Sequence, residues 1–224
     1  MAYINPIIFF ILTVFLHFIS RQTINNLYFF LNLFTKKDKV IFTIISILYF
    51  PGTVIHEMAH FFMATILFLK VKDIKILPKI KEHEIKLGSV VFEKQDFLRG
   101  VVVGIAPFIF AFIIFYSISL LNLFPSNSIL LNIIFLYLIY VISSTMFSSK
   151  QDLIDFIYLI PLFIVVFGAF YFFNFNINLV IDNKSILESI FNIFYTLNFY
   201  LFYSVIINLI ILLLAKAVII AVKK

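Results

Sequence analysis

Long apolar runs are the feature of this sequence that most restricts its fold. Residues 40–69 and 195–222 consist mainly of Ile, Leu, Phe, Val and small side chains. Of the 224 residues, 63% are hydrophobic and 12% charged, with a mean hydropathy of +1.14, whereas a soluble domain is about half apolar and a quarter charged. A soluble globular protein is therefore excluded. Lipid admits only helices or a closed barrel, and runs of this length favour helices.

The apolar runs predict a single domain, an α-helical polytopic membrane protein with about six transmembrane helices. We expect a tilt or kink at Pro51, because a run of 30 residues would form a helix of about 45 Å, longer than the hydrocarbon core of about 30 Å. The expected spans cover residues 4–19 with a partly inserted continuation at 24–34, then 40–69, 100–121, 129–147, 153–173 and 195–222.

The segment 70–99 has a different composition from the rest of the chain. It holds eight Lys/Arg and five Asp/Glu in 30 residues. Ile74 and Ile76, and later Ile85 and Leu87, alternate with charged residues. Alternation with a period of two is typical of short amphipathic strands. The segment is therefore predicted to form a small β-hairpin.

The charge distribution bears on orientation in the membrane. The chain carries 17 Lys+Arg against 11 Asp+Glu, a formal net charge of +6. The protein is predicted to lie in the cell or plasma membrane. Because Lys and Arg collect in cytoplasmic loops, segment 70–99 is predicted to be on the cytoplasmic side. Strict alternation of spans puts Lys150 and the C-terminal lysines on that same side, and the Lys36 cluster and Lys184 on the other. We therefore interpret the excess of positive charge as a sign of orientation in a lipid bilayer, and we expect the protein not to bind nucleic acid.

The chain has no cysteine. Disulfides, thiolate metal sites and cysteine nucleophiles are thereby excluded. A metal ion in this protein must be held by His, Asp or Glu.

One polar motif interrupts the second apolar run. His56-Glu57-Met58-Ala59-His60 is an HExxH sequence, whose two histidines, four residues apart, lie on nearly the same side of a helix and can share one zinc ion. Glu57 is then placed to take a proton from water. A chance match or a buried polar cluster is the alternative, but ionisable residues inside a membrane span are costly and usually functional.

A catalytic zinc normally has three protein ligands. With neutral histidines and an ionised Glu57, a Zn²⁺ ion would leave the site with one positive charge, which one more carboxylate would neutralise. Asp152 and Asp155 are the candidates, since they follow the polar tract 143–151 at the junction of two predicted spans. Asp152 could instead be a helix N-cap.

These residues together resemble the site-2 proteases, the intramembrane zinc metalloproteases. The resemblance rests on the membrane-embedded HExxH preceded by Pro51-Gly52-Thr53, the amphipathic strand segment, and an aspartate after a later polar helix end. The second family motif, Asn-x-x-Pro followed by Leu-Asp-Gly, is matched only at its aspartate. Ser144 stands at the Asn position, Phe147 at the Pro position, and Gln151 and Leu153 at the Leu and Gly positions.

The resemblance covers about residues 40–156, with 1–39 as an N-terminal span and loop and 157–224 as C-terminal spans of the same domain. It implies Zn²⁺ bound by His56, His60 and Asp152, with Glu57 as the general base. The implied substrate is a transmembrane protein, presented as an extended strand that pairs with an edge strand between about residues 71 and 92. A Ser or Thr hydroxyl of the tract 143–149 would stabilise the oxyanion.

Two alternatives remain open from the sequence. The cluster could be a structural metal or proton site in a non-catalytic membrane protein, such as a transporter or assembly factor. The zinc chemistry could also act on another substrate, such as a lipid ester or a lipidated peptide.

Overall fold

The computed structural model describes residues 4–75, 79–81, 84–86, 88–93, 96–146 and 184–223. Within these residues the protein is mostly helical, with two small antiparallel sheets. The helices are α1 (Asn5–Leu31), α2 (Asp38–Ile66), α3 (Phe97–Gly104), α4 (Ala106–Leu120), α5 (Ile129–Thr145) and α6 (Lys184–Lys223). The strands are β1 (Val71–Lys75), β2 (Lys79–Lys81), β3 (Glu84–Lys86) and β4 (Ser89–Phe92).

Three of the described helices, α1, α2 and α6, are long and apolar enough to cross a membrane. A fourth candidate span consists of α3 and α4, which meet at an angle of 41°. Helix α5 is apolar but has only 17 residues. The structure thus provides three to four candidate spans, fewer than the expected six, while the span expected at 153–173 lies outside the described residues.

One expected interruption is absent from the described helices. Helix α1 continues through Ser20 and Arg21, where the sequence predicted the end of a span. Asn26 does not break it, because Asn26 Nδ2 donates to the carbonyl of Gln22, one turn earlier, at 2.8 Å. Helix α2 contains Pro51 within one continuous helix of 29 residues. At about 43 Å it exceeds the hydrocarbon thickness.

The predicted strands in segment 70–99 are confirmed. Strand β1 pairs antiparallel with β4, from Val71 opposite Phe92 to Lys75 opposite Ser89. Strand β2 pairs antiparallel with β3, with Ile80 opposite Ile85. Both pairings nest in the order of a hairpin, with β1 and β2 on one arm and β3 and β4 on the other. The strand pair nearest the end of α2 is therefore β1 with β4.

Contacts between helices define their directions. Tyr28 near the end of α1 donates to Asp38 at the start of α2, while Phe9 near the start of α1 and Phe62 near the end of α2 both pack against the start of α4. These two helices are therefore antiparallel.

Helix α5 runs parallel to α2, because Tyr137 donates to the Leu48 carbonyl and Tyr140 pairs with Tyr49. Helix α5 therefore runs toward the hairpin end of the bundle, and its last residue, Thr145, lies beside Gly52 in the middle of α2.

Helix α6 runs parallel to α1. Asn198 donates to the Asn5 carbonyl, and Thr23 donates to the Asn208 carbonyl. Lys184 consequently lies at the hairpin end of the bundle and the end of α6 at the opposite one. This placement differs from the strict alternation of six spans, which had predicted the reverse for both.

Many large apolar side chains face outward. On α1, Ile7 and Phe18 are each 61% exposed, and on α2 Ile47 is 68% exposed. Water would make such exposure unfavourable by about 25 cal/mol per Å², whereas lipid does not. The interior contacts of α2 with α4, α5 and the strands enclose the HExxH residues.

Candidate metal centre

The two histidines of the HExxH motif converge inside the bundle. His56 and His60 are buried, with 4% and 9% of their surfaces exposed. Their Nε2 atoms are 3.1 Å apart, and their rings are nearly perpendicular at 85°. The spacing of four residues on α2 therefore brings two imidazole nitrogens to one point, as the sequence predicted.

His60 is oriented by a contact with α3. Its Nδ1 lies 2.8 Å from the carbonyl oxygen of Val103. Because a carbonyl only accepts, Nδ1 carries the proton and Nε2 presents its lone pair. Metal-binding histidines are typically oriented in this way.

The sequence explains why the Val103 carbonyl is available. In a continuous helix this oxygen would accept from the backbone nitrogen four residues later, at position 107. Pro107 has no N–H, and α3 ends at Gly104. The Val103 oxygen accepts a backbone N–H at the end of α3, but it receives no bond from position 107 and keeps a lone pair for the imidazole. The glycines at positions 100 and 104 of α3 are also buried.

Glu57 faces the hairpin. It is 4% exposed, and the backbone of Gly88 lies directly against it. A Cβ atom added at Gly88 would be 2.5 Å from Glu57 Cγ and 2.6 Å from Oε1. Only glycine permits this approach, which places the chain entering β4 over the carboxylate. The sequence did not identify Gly88 as a site residue, because its contact joins two distant segments.

The histidine pair fits a tetrahedral zinc ion. Zinc–nitrogen bonds of 2.0–2.1 Å with a tetrahedral angle require the two nitrogens to be about 3.3 Å apart, close to the observed 3.1 Å. Within the described residues, no group of three His, Asp or Glu side chains forms a complete site. Both candidates for the third ligand, Asp152 and Asp155, lie outside those residues.

The polar end of α5 packs against α2 and α6. Gly52 on α2 lies against α5, where an added Cβ would be 2.7 Å from Thr145 Oγ1. Ser143, Ser144 and Thr145 are all buried. Ser144 accepts a hydrogen bond from Asn208 of α6 at 3.1 Å.

Asn208 is a buried polar residue that was not among the predicted site residues. Its side chain is fully buried and lies on α6 in an apolar sequence, Ile206-Ile207-Asn208-Leu209-Ile210. An asparagine among such neighbours could have been recognised from the sequence as a candidate site residue, since polar groups inside a membrane are costly and usually functional.

No protein-family model, no curated protein and no solved structure matches this chain. What can be inferred about its activity therefore depends on its own residues and their geometry.

Proposed function

We propose that this protein is an intramembrane zinc metalloprotease that cleaves transmembrane or membrane-proximal protein segments. The observation that carries the proposal is the pair of buried imidazoles with their Nε2 atoms 3.1 Å apart, next to a buried carboxylate. His56, His60 and Asp152 are the proposed zinc ligands. Zinc held by such ligands makes water more acidic and polarises a carbonyl group.

Glu57 is the proposed general base. It directly follows His56 on α2. Its burial keeps bulk water from competing for the carboxylate. It accepts a proton from the attacking water and returns it to the leaving amine. The scissile C–N bond breaks, the water oxygen becomes part of the new carboxyl group, and Glu57 ends the cycle in its starting state.

The hairpin is the proposed docking element for the substrate. A helical substrate satisfies its own backbone hydrogen bonds and must unwind before its peptide bond can be attacked. Among the described residues, β1 and β4 pair only with each other, which leaves each with an outer edge for another strand. Because Gly88 directly precedes β4 and touches Glu57, a segment paired at this edge would lie close to the carboxylate.

The proposed orientation places the hairpin in the cytoplasm. The eight Lys/Arg of segment 70–99 outnumber the positive charges at the other end of the bundle, even with the C-terminal lysines counted there. This charge bias favours the hairpin end inside.

The test is a comparison of wild type with Glu57→Gln in liposomes that also contain membrane proteins extracted from the producing cells. New N-termini are identified by chemical labelling and mass spectrometry. We expect cleavage within apolar segments with wild type only, and equal zinc content in both proteins. Equal cleavage by both proteins, or none by zinc-loaded wild type, would contradict the proposal.

A further inference from the structure

One hydroxyl at the polar end of α5 differs from its neighbours. Ser143 Oγ donates to the Ile139 carbonyl at 2.6 Å, and Thr145 Oγ1 donates to the Val141 carbonyl at 2.8 Å. Both hydroxyls therefore have an acceptor within the helix, and Ser143 Oγ also pairs with Ser204 Oγ of α6. Ser144 Oγ instead accepts from Asn208, and within the described part of the chain no acceptor is found for its own hydrogen.

Ser144 lies on the stripe of α5 that faces the helix of the histidines. One turn before it, the Tyr140 hydroxyl bonds to the Tyr49 hydroxyl of α2. On α2, His56 follows Tyr49 by seven residues, which is nearly two turns and returns to the same face. Because α2 and α5 run parallel, Ser144 and His56 continue these two facing stripes toward the same end of the bundle.

The amide of Asn208 is fixed in place. One Nδ2 hydrogen is donated to Ser144 Oγ at 3.1 Å, and Nδ2 also donates to the Ser204 carbonyl at 3.0 Å. The backbone carbonyl of Asn208 accepts from Thr23 Oγ1 at 3.3 Å. A hydroxyl that accepts a hydrogen bond becomes a better donor. Asn208 therefore both orients Ser144 and polarises its O–H bond.

We propose that Ser144 donates a hydrogen bond to the scissile carbonyl oxygen as negative charge develops on it, and that Asn208 is the positioning residue for this hydroxyl. The inference rests on the proposed protease function. It assigns the oxyanion interaction to one hydroxyl of the polar tract and adds a residue from the last helix. The interaction is a hydrogen bond only, with no covalent step at Ser144.

The experiment measures kcat, KM and zinc content for Ser144→Ala, Ser144→Thr, Asn208→Leu and the double variant Ser144→Ala/Asn208→Leu. The substrate is a labelled synthetic copy of the most abundant segment cleaved in the liposome digest. Asn198→Leu is the matched control, since Asn198 is also a buried asparagine of α6 but donates to Asn5.

Loss of an oxyanion donor lowers kcat by about 10²-fold or more. We expect that loss for Ser144→Ala, with KM and zinc content unchanged, and near-wild-type kcat for Ser144→Thr, which keeps the hydroxyl. Asn208→Leu should lower kcat by less than Ser144→Ala does, because the Ser144 hydroxyl remains and only its orientation and polarisation are lost. The double variant should be no slower than Ser144→Ala, because Asn208 acts through Ser144.

Full activity of Ser144→Ala would overturn the inference, and so would independent, multiplying losses in the double variant. Loss of zinc or of folding in Asn208→Leu would show a structural role for Asn208, and the comparison of Ser144→Ala with Ser144→Thr then decides the role of the hydroxyl alone. Glu57→Gln is measured in parallel. Its unchanged activity would refute the protease function itself, whereas an inactive Glu57→Gln beside a fully active Ser144→Ala refutes only the role of Ser144.

Discussion

The substitution Gly88→Ala is expected to displace the proposed general base, Glu57, without affecting zinc binding. The added methyl carbon would lie 2.5 Å from Glu57 Cγ and 2.6 Å from Oε1. Since carbon atoms pack at 3.5–4.0 Å, one partner must move by about 1 Å. The Glu57 side chain is the flexible partner, so we expect the carboxylate to move while the backbone remains in place.

A displacement of about 1 Å in a catalytic group can lower kcat by about 10²-fold. We therefore expect cleavage by Gly88→Ala to fall by about that factor. Zinc content should remain near that of wild type, because the substitution does not touch either histidine. The free energy of unfolding should fall by at most about 3 kcal/mol, because adding a methyl group to a packed site usually costs about 1–3 kcal/mol.

The assay combines the rate of cleavage of the labelled segment, zinc per chain by plasma mass spectrometry, and the thermal unfolding midpoint. Ser89→Ala is the matched control, because it changes the adjacent residue without adding an atom beyond Cβ. Wild-type activity of Gly88→Ala, or loss of zinc from a folded Gly88→Ala chain, would refute the reasoning about this contact.

Four further substitutions test other parts of the site. Glu57→Gln should keep zinc and lose cleavage by about 10²–10⁴-fold, the usual contribution of a general base, as measured by zinc content and initial rates. Gly52→Ala should destabilise the fold by about 1–3 kcal/mol and lower the thermal midpoint, since its Cβ would meet the backbone of Val141 on α5; an unchanged midpoint would contradict the tight packing of α2 on α5. Asp152→Ala should release zinc, whereas Asp155→Ala should retain it, and the reverse pattern would assign the third ligand to Asp155.

The sequence was most informative where a local pattern determines the geometry. The four-residue spacing of His56 and His60 sufficed to predict that both face one point, because helix periodicity alone sets their directions. The alternation around Ile74 and Ile85 likewise predicted strands. Local pattern was misleading at Ser20 and Arg21, because a polar residue within a long apolar helix can remain helical when its neighbours continue the backbone hydrogen bonding.

Contacts between distant segments were beyond the sequence analysis. The approach of Gly88 to Glu57 and the hydrogen bond from Asn208 to Ser144 each join parts of the chain that are separated by many residues. The contact of His60 with the Val103 carbonyl joins α2 to α3, and no local pattern indicated that these two residues are neighbours. The direction of α6 also depended on packing, since counting spans gave the opposite result.

Zinc content is the most direct measure of the proposed metal centre. Wild type, His56→Ala and His60→Ala are purified identically in detergent, their folding is checked by thermal unfolding, and zinc per chain is measured by plasma mass spectrometry. The paired imidazoles predict about one zinc per wild-type chain and a loss of that zinc in both variants. Folded wild-type protein without zinc, or zinc retained by both variants, would contradict the metal centre and with it the protease.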